Sequence, residues 1–245
     1  GNKTATRDIS VDHEIPMLSM QKVQTAEEAN DWYYKTINIP NLRFYDVSNT
    51  GVWIDPKLDG VSGKVVYYNN GKFKYASTRG DGKVGAILKF GKDITGVPER
   101  FLPNSELRGE FIISKKFQKF YGGPLRNICT GILKRDTYTD DIKNVTFVIY
   151  DAFTYQLSNE ITFSDRKDKL RRIEEILTEN DNKFTIIPLR KTNDIAKTYE
   201  DYVNNWRDKY EFETDGMILT VDGGKENYTT INEKYKISTF NRYNI

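Results

Sequence analysis

The sequence predicts an α+β fold with a core of antiparallel sheet flanked by helices. Short runs rich in Val, Ile, Tyr and Phe are bounded by Asn, Asp and Gly. Stretches with apolar residues at helical spacing interrupt those runs, and the two kinds do not alternate in the manner of a doubly wound sheet.

Taken in order, residues 1–24 read as mostly irregular, and Thr25 is placed to cap a helix over Ala26 to Ile37, with Ala29, Trp32, Tyr33 and Ile37 along one side. Strands follow at Val52 to Asp55, Gly63 to Tyr68 and Lys72 to Ser77. Asn69-Asn70-Gly71 forms the hairpin turn between the last two. In Glu106 to Ile113, strand alternation puts Leu107 and Gly109 on one side and Arg108 and Glu110 on the other. Residues 114–135 look helical and broken at Gly122-Gly123-Pro124, and Val145 to Tyr150 is a buried strand. Residues 164–180 form a helix with Leu170, Ile173, Ile176 and Leu177 as its apolar stripe and its charges on a solvated face. A helix over about 193–208 turns Ile195, Tyr199, Tyr202, Val203 and Trp206 inward, and Gly216 to Val221 is the last clear strand.

Composition excludes several function classes. At 245 residues the chain can bury the core of one large domain, or one and a half. A net charge of +2 means that any nucleic-acid contact rests on a local basic face. One cysteine, Cys129, excludes a disulfide framework and suits a reducing compartment; in Asn127-Ile128-Cys129-Thr130-Gly131 it reads as a small buried side chain. His13 is the lone histidine, so neither a His-based triad nor a His-rich metal centre can be built. No apolar run reaches the ~18 residues of a membrane span, and Gly1-Asn2-Lys3-Thr4 has no signal-peptide core. A cytoplasmic protein with no membrane association is expected.

The residue that carries most chemistry is Lys57, in Ile54-Asp55-Pro56-Lys57-Leu58-Asp59-Gly60. A neutral lysine amine is a strong nucleophile, and K-x-D-G is the setting in which covalently adenylated enzymes carry one. Read as structure alone, the same letters are a strand end, an Asp-Gly turn and a solvated lysine. Other segments are equally two-sided. Ser77-Thr78-Arg79-Gly80-Asp81-Gly82 is a hairpin turn or a loop that cradles phosphate or ribose. Glu106-Leu107-Arg108-Gly109-Glu110 is a strand salt bridge or a carboxylate for ribose hydroxyls. Tyr150 packs in the core or stacks on a base, and Asp215-Gly216 is a turn or a second carboxylate for metal or nucleophile. The helix from Arg126 to Lys134 and Arg135 carries cations at both ends, as a solvated helix or a phosphodiester contact.

Order and spacing separate these readings. K-x-D-G, T-R-G-D-G, E-L-R-G-E, an aromatic-ended strand and T-D-G, in that succession, resemble the nucleotidyltransferase domain of NAD-dependent DNA ligases. His13-Glu14-Ile15-Pro16-Met17-Leu18-Ser19-Met20 resembles that family's H-E-x-P-M-L-S-L segment. Leu125 to Lys134 resembles its P-R-N-x-x-x-G-x-L-R helix, and Tyr210 to Gly216 its L-P-F-E-x-D-G strand. The likeness runs from about residue 11 to the end of the chain. ATP-dependent polynucleotide ligases and capping enzymes share K-x-D-G, so ATP is the alternative donor; T-R-G-D-G and the Arg-Asn helix are similar to the NAD branch.

The resemblance implies an α+β nucleotidyltransferase fold of the ATP-grasp-like DNA ligase type. Residues 1–40 would be an N-terminal segment and helix packed on an adenylation domain at 41–245. Lys57 would attack the α-phosphorus of NAD, expel nicotinamide mononucleotide and hold AMP as a phosphoramidate. That step needs a neutral amine, favoured by burial and nearby cations, with Mg²⁺ screening phosphate charge. Asp59 and Asp215 would orient the lysine or support metal. Asp55 would read the adenine amino group, and Arg79 and Glu110 would bind the ribose region. Tyr150 would stack on adenine, while Ser19 and the Met20 backbone would line the pocket. Arg126, Lys134 and Arg207 would meet phosphates and the nicked strand.

Three departures accompany the resemblance. Thr220 stands where the family's D-G-x-x-x-K has the lysine for the α-phosphate. The fifth motif, R-W-A-x-A-x-K, would begin at Arg242-Tyr243-Asn244-Ile245, with Lys234 and Lys236 as less well spaced substitutes for its lysine. The subdomain for the nicotinamide mononucleotide half, the OB fold and the helix-hairpin-helix modules are not matched. The chain is therefore expected to be a fragment or one subunit of a split ligase, completed on nicked double-stranded DNA by C-terminal DNA-binding domains or a second subunit. The alternative is a degenerate nucleotide- or DNA-binding subunit without turnover.

Overall fold

The computed structural model of the chain describes residues 9–17, 21–37, 52–155, 165–222 and 240–244. Ser19, Met20, Lys234 and Lys236 lie outside the described residues.

The first helix, α1 (Ala26–Ile37), starts where its cap residue predicts. Thr25 Oγ1 accepts from the Glu28 amide at 3.1 Å, satisfying a donor that the first turn leaves open, and the Glu28 carboxylate reaches back to accept from the Gln24 amide at 2.8 Å.

Two five-stranded sheets form the body. In the first, the order is β10 (Arg190–Thr192), β3 (Val52–Leu58), β11 (Thr214–Asp222), β12 (Phe240–Asn244), β2 (Gln21–Lys22). In the second it is β5 (Phe73–Thr78), β4 (Val61–Tyr67), β7 (Ser105–Ile113), β8 (Val145–Thr154), β9 (Thr185–Ile186). Pairing is antiparallel except at two edges, β12 with β2 and β8 with β9. The expected antiparallel core is present, and only these edge strands run parallel. β9 returns through the helix α4 (Arg166–Glu179), and such a crossover delivers a parallel strand. A separate ribbon pairs β1 (Ser10–Asp12) with β6 (Val84–Ala86).

Each sheet has one apolar face. Val52, Ile54, Met217 and Leu219 of the first pack with Ala29 and Trp32 of α1 and with Ile195 of α5 (Ile195–Asp201). The second covers Val65, Leu107, Phe111, Phe147 and Ile149 with α3 (Leu125–Leu133) and α4. The expected break before α3 is present: α2 (Gln118–Tyr121) ends at Gly122, whose φ of 68° lies in the left-handed region. Cys129 is buried in this core, and burial pushes its thiol up to about 12, so it is a packing residue.

One expectation about α4 is wrong in part. Leu170, Ile173, Ile176 and Leu177 face inward as the period predicts, but so do Arg166 and Lys169, which are buried. Residues 166, 169, 170 and 173 recur at three- and four-residue steps, so both cations lie on the apolar stripe and not on the solvated face.

Candidate active site

Lys57 lies inside a strand, not at a hairpin. β3 runs through it to Leu58, and Asp59-Gly60 carries the chain from the first sheet into β4 of the second. Glycine is required there by close approach: a Cβ on Gly60 would sit 2.4 Å from the Phe111 carbonyl oxygen. On the neighbouring strand the pairs Thr214–Leu58 and Met217–Pro56 leave Asp215 and Gly216 together opposite Lys57. This is a β-bulge, and Gly216 takes its positive φ of 147°. The bulge brings the Asp215 carboxylate to 3.4 Å from Lys57 Nζ. Asp59 meets the Arg126 guanidinium at 3.7 Å.

The polar face of the second sheet continues from this point. Ser62, Lys64, Glu106, Arg108 and Glu110 share it by register and alternation. Glu110 accepts from Ser62 Oγ at 2.8 Å and from the Gly60 amide at 3.2 Å, which ties it to the K-x-D-G turn. Burial pushes its carboxyl up to about 7, against those hydrogen bonds and the charge of Arg126. The strand salt bridge joins Arg108 to Glu106, at 2.7 Å, which leaves Glu110 to Ser62 and Gly60. Lys64 is wholly buried, with no hydrogen-bond partner for Nζ among the described residues; burial lowers its pKa.

The segment His13–Met17 is clamped across this face. Arg108 donates to the Ile15 and Pro16 carbonyls at 2.6 and 3.2 Å, and Arg79 Nε donates to the Met17 carbonyl at 2.9 Å. His13 Nε2 lies 2.7 Å from the Arg79 carbonyl, and the Met17 amide donates to that of Gly82. The T-R-G-D-G loop is therefore a hairpin turn that also holds the segment leading to Ser19 and Met20.

A second bulge shapes β8. Arg108 pairs with Asp151 and Gly109 with Ile149, so Tyr150 is the extra residue. Without it Asp151 would share the apolar side with Phe147 and Ile149; with it Asp151 turns to the polar face beside Arg108. There Lys169 Nζ meets Asp151 Oδ1 at 2.5 Å and lies 4.5 Å from the Phe153 ring centre, which Arg108 also covers at 4.6 Å. Tyr150 is half-buried against the core. Asp55 is buried on the Lys57 side of β3, with Arg166 of α4 at 3.6 Å from Oδ1.

Lys57, Asp59, Asp215, Glu110 and Arg126 are thus brought together, while Asp55 sits farther along the same strand. Thr220, opposite Trp53, is buried and its hydroxyl has no partner among the described residues. Lys134 and Arg207 are exposed. Lys134 caps the far end of α3, and Arg207 lies over the Tyr202 ring at 5.9 Å. Reading the sequence missed Arg166, Lys169, Asp151 and Lys64; for the first two, their place on the helical stripe was the available signal. Among the described residues no three His, Cys, Asp or Glu side chains gather as a metal site, and no helix is long and apolar enough to cross a membrane.

The chain is similar to several known proteins. DNA ligases of Borrelia garinii subsp. bavariensis and Borreliella burgdorferi are 31% and 30% identical to the chain over 228 and 234 residues. Each alignment covers 86% of this chain and 32% of the relative, so the chain spans about a third of these relatives' length. Among solved structures, the bacteriophage T7 ATP-dependent DNA ligase in complex with ATP aligns with a TM-score of 0.47 and 13% identity, over 82% of this chain and 62% of that one. The family model for the NAD-dependent DNA ligase adenylation domain matches residues 6–230. The chain belongs to the family of NAD-dependent DNA ligase adenylation domains.

Proposed function

We propose that the chain performs the first step of DNA ligation, transfer of AMP from NAD to Lys57. The amine attacks the α-phosphorus, the bond to nicotinamide mononucleotide breaks, and a lysyl phosphoramidate remains to be passed to the 5′-phosphate of nicked DNA. The observation that carries this reading is the position of Lys57 where the two sheets meet, against the Asp215 bulge and beside the Glu110 face. A carboxylate in contact with the ammonium orients it and can take its proton.

The other roles follow the same layout. Asp55 is assigned to the adenine amino group, Tyr150 to the base face, and Glu110 and Arg79 to the ribose region, with Ser19 and Met20 lining the pocket. Arg126 is assigned to phosphate, and Lys134 and Arg207 to the nicked strand. Mg²⁺ keeps several waters and takes one or two carboxylates together with substrate phosphates. The partly exposed Asp59 and Asp215 fit that requirement, and the ion would supply screening of phosphate charge. Nick sealing by the whole protein, in the cytoplasm, would draw on further domains or a second subunit, with residues 1–40 and 41–245 acting as one adenylating unit.

Incubation with NAD or ATP, each with Mg²⁺, followed by mass spectrometry, tests this. AMP on Lys57 from NAD alone is expected, and Lys57→Ala abolishes it. No adduct from either donor, with candidate partner domains added, rejects the reading. Thr220 favours one second reading, a nucleotide-binding subunit without turnover, because a buried hydroxyl brings no charge to the phosphate. That reading predicts AMP binding and no adduct.

A further inference from the structure

The Asp215 bulge has a support on the other face of its sheet. Register pairs Thr214 with Leu58 and Met217 with Pro56, so these residues point away from Lys57, towards the side where Val52, Ile54, Met217 and Leu219 cluster. Tyr202 belongs to that cluster and is 1% exposed. It opens a π-helical turn, Tyr202–Trp206, which continues α5 and is closed by the Arg207 amide donating to the Tyr202 carbonyl at 2.9 Å. Such turns are rare and recur at functional sites. A phenol hydroxyl among apolar side chains needs a partner. Tyr202 finds it at Thr214 Oγ1, 2.5 Å away, and the Gly216 amide acts on the same phenol oxygen as a donor. These two partners are the residues on either side of Asp215. A phenylalanine ring would fill the same space, so what the hydroxyl adds is a tie to the bulge.

We infer that Tyr202 is a positioning residue for Asp215: its hydroxyl, acting from behind the sheet, fixes the bulge that turns the carboxylate to Lys57. The inference rests on the proposed part of Asp215 in the attack of Lys57 on NAD. A bulge disrupts the ladder locally and leaves its extra residue unpaired, so contacts from outside the sheet are needed to hold it in one arrangement. Tyr202 is suited to that because its own ring is held. Trp206 meets it edge-on with centroids 4.5 Å apart, and Tyr199 lies at 5.9 Å. The tyrosine lies on the face opposite Lys57, so its effect on the reaction passes through Asp215.

The test compares variants of the whole chain in two measurements: single-turnover formation of lysyl-AMP from NAD with Mg²⁺, and amide exchange at Asp215 and Gly216 by NMR. Tyr202→Phe, which removes the hydroxyl alone, is expected to slow adduct formation ~10-fold while the half-saturating NAD concentration stays within ~2-fold. The two amides are expected to exchange ~10-fold faster, because local opening of the bulge becomes easier. Thr214→Val is expected to reproduce both effects, and Thr214→Ser, which keeps the hydroxyl, to retain the unsubstituted values. In Asp215→Asn, adding Tyr202→Phe is expected to change the rate by less than ~2-fold, because the tyrosine acts through that carboxylate. A rate unchanged in folded Tyr202→Phe overturns the inference, as does an equal loss with and without the Asp215 carboxylate. Where Tyr202→Phe does not fold, Thr214→Val decides in the same way. A chain that forms no adduct at all rejects the proposed reaction, and amide exchange then decides alone. Protection lost in Tyr202→Phe upholds the tie to the bulge, and protection retained overturns it.

Discussion

Asp215 reaches Lys57 because the strand that carries it has one residue too many. Asp215 and Gly216 share the single place opposite Lys57, and the carboxylate comes to 3.4 Å from the amine. Both side chains are partly exposed, at 27% and 44%, so the pair contributes little to stability. Asp215→Asn is expected to leave the thermal midpoint within about 2 °C and to slow lysyl-AMP formation by ~10². Equal losses in stability and rate would show the bulge to be structural only.

Glu110 gives the site a pH dependence. Its folded pKa of about 7 lies above the ordinary 4.5, so the folded state holds the proton more tightly than the unfolded one. Its contribution to stability is fully present below 4.5 and is lost as pH rises through about 7. Hydroxyl donors favour the ionised form, so AMP affinity is expected to rise through the same window and flatten above it. Glu110→Gln removes the dependence, and calorimetric titration from pH 5 to about 9 reads it.

The fold was legible where local chemistry decides it. Thr25 with Glu28, the Asn69-Asn70-Gly71 turn and the Gly122-Gly123-Pro124 break are signalled by side chains that meet backbone needs within a few residues. The motif residues were also legible, and Lys57, Asp59, Asp215, Glu110 and Arg126 do converge. Hidden from the sequence were features set by register. The bulges at Asp215-Gly216 and Tyr150 depend on where another strand pairs: Gly216 permits the first without fixing its register, and no residue type announces the second. Arg166 and Lys169 were misassigned because charge outweighed position; their carboxylates, Asp55 and Asp151, come from strands on two different sheets.

Lys64 is a cost that the fold carries. Its ammonium is buried without a hydrogen-bond partner among the described residues, with Tyr75 at 5.8 Å and Glu106 acting through charge. Burial lowers its pKa, so the folded state is penalised increasingly as pH falls from the unfolded value of 10.5 through the folded one. Lys64→Met is expected to stabilise the protein at pH 7 by about 1–3 kcal/mol, with the gain shrinking towards pH ~10. Urea unfolding at the two pH values measures both. A destabilised variant at pH 7 would mean that the ammonium has a partner worth more than its desolvation.

Thr220 is the position at which the proposed reaction can be tested by adding a charge. It lies opposite Trp53 and two residues from Ile218, the partner of Asp55, so alternation places it on the same face of the sheet as the buried acid. Its hydroxyl is fully buried, has no partner among the described residues, and brings no positive charge to that face. A lysine there would add a cation to that buried face, where preorganised charge acts with little screening. Thr220→Lys is expected to raise the rate of lysyl-AMP formation by ~10-fold or more, at a stability cost of about 1–3 kcal/mol from burying the charge before nucleotide binds. AMP in solution should recover part of that cost, because a bound phosphate supplies the missing counter-charge. Single-turnover rates from NAD, with unfolding curves taken with and without AMP, measure the two effects separately. A faster variant identifies the natural site as a working but weakened catalyst. A folded variant with unchanged rate means that another cation already serves the phosphate.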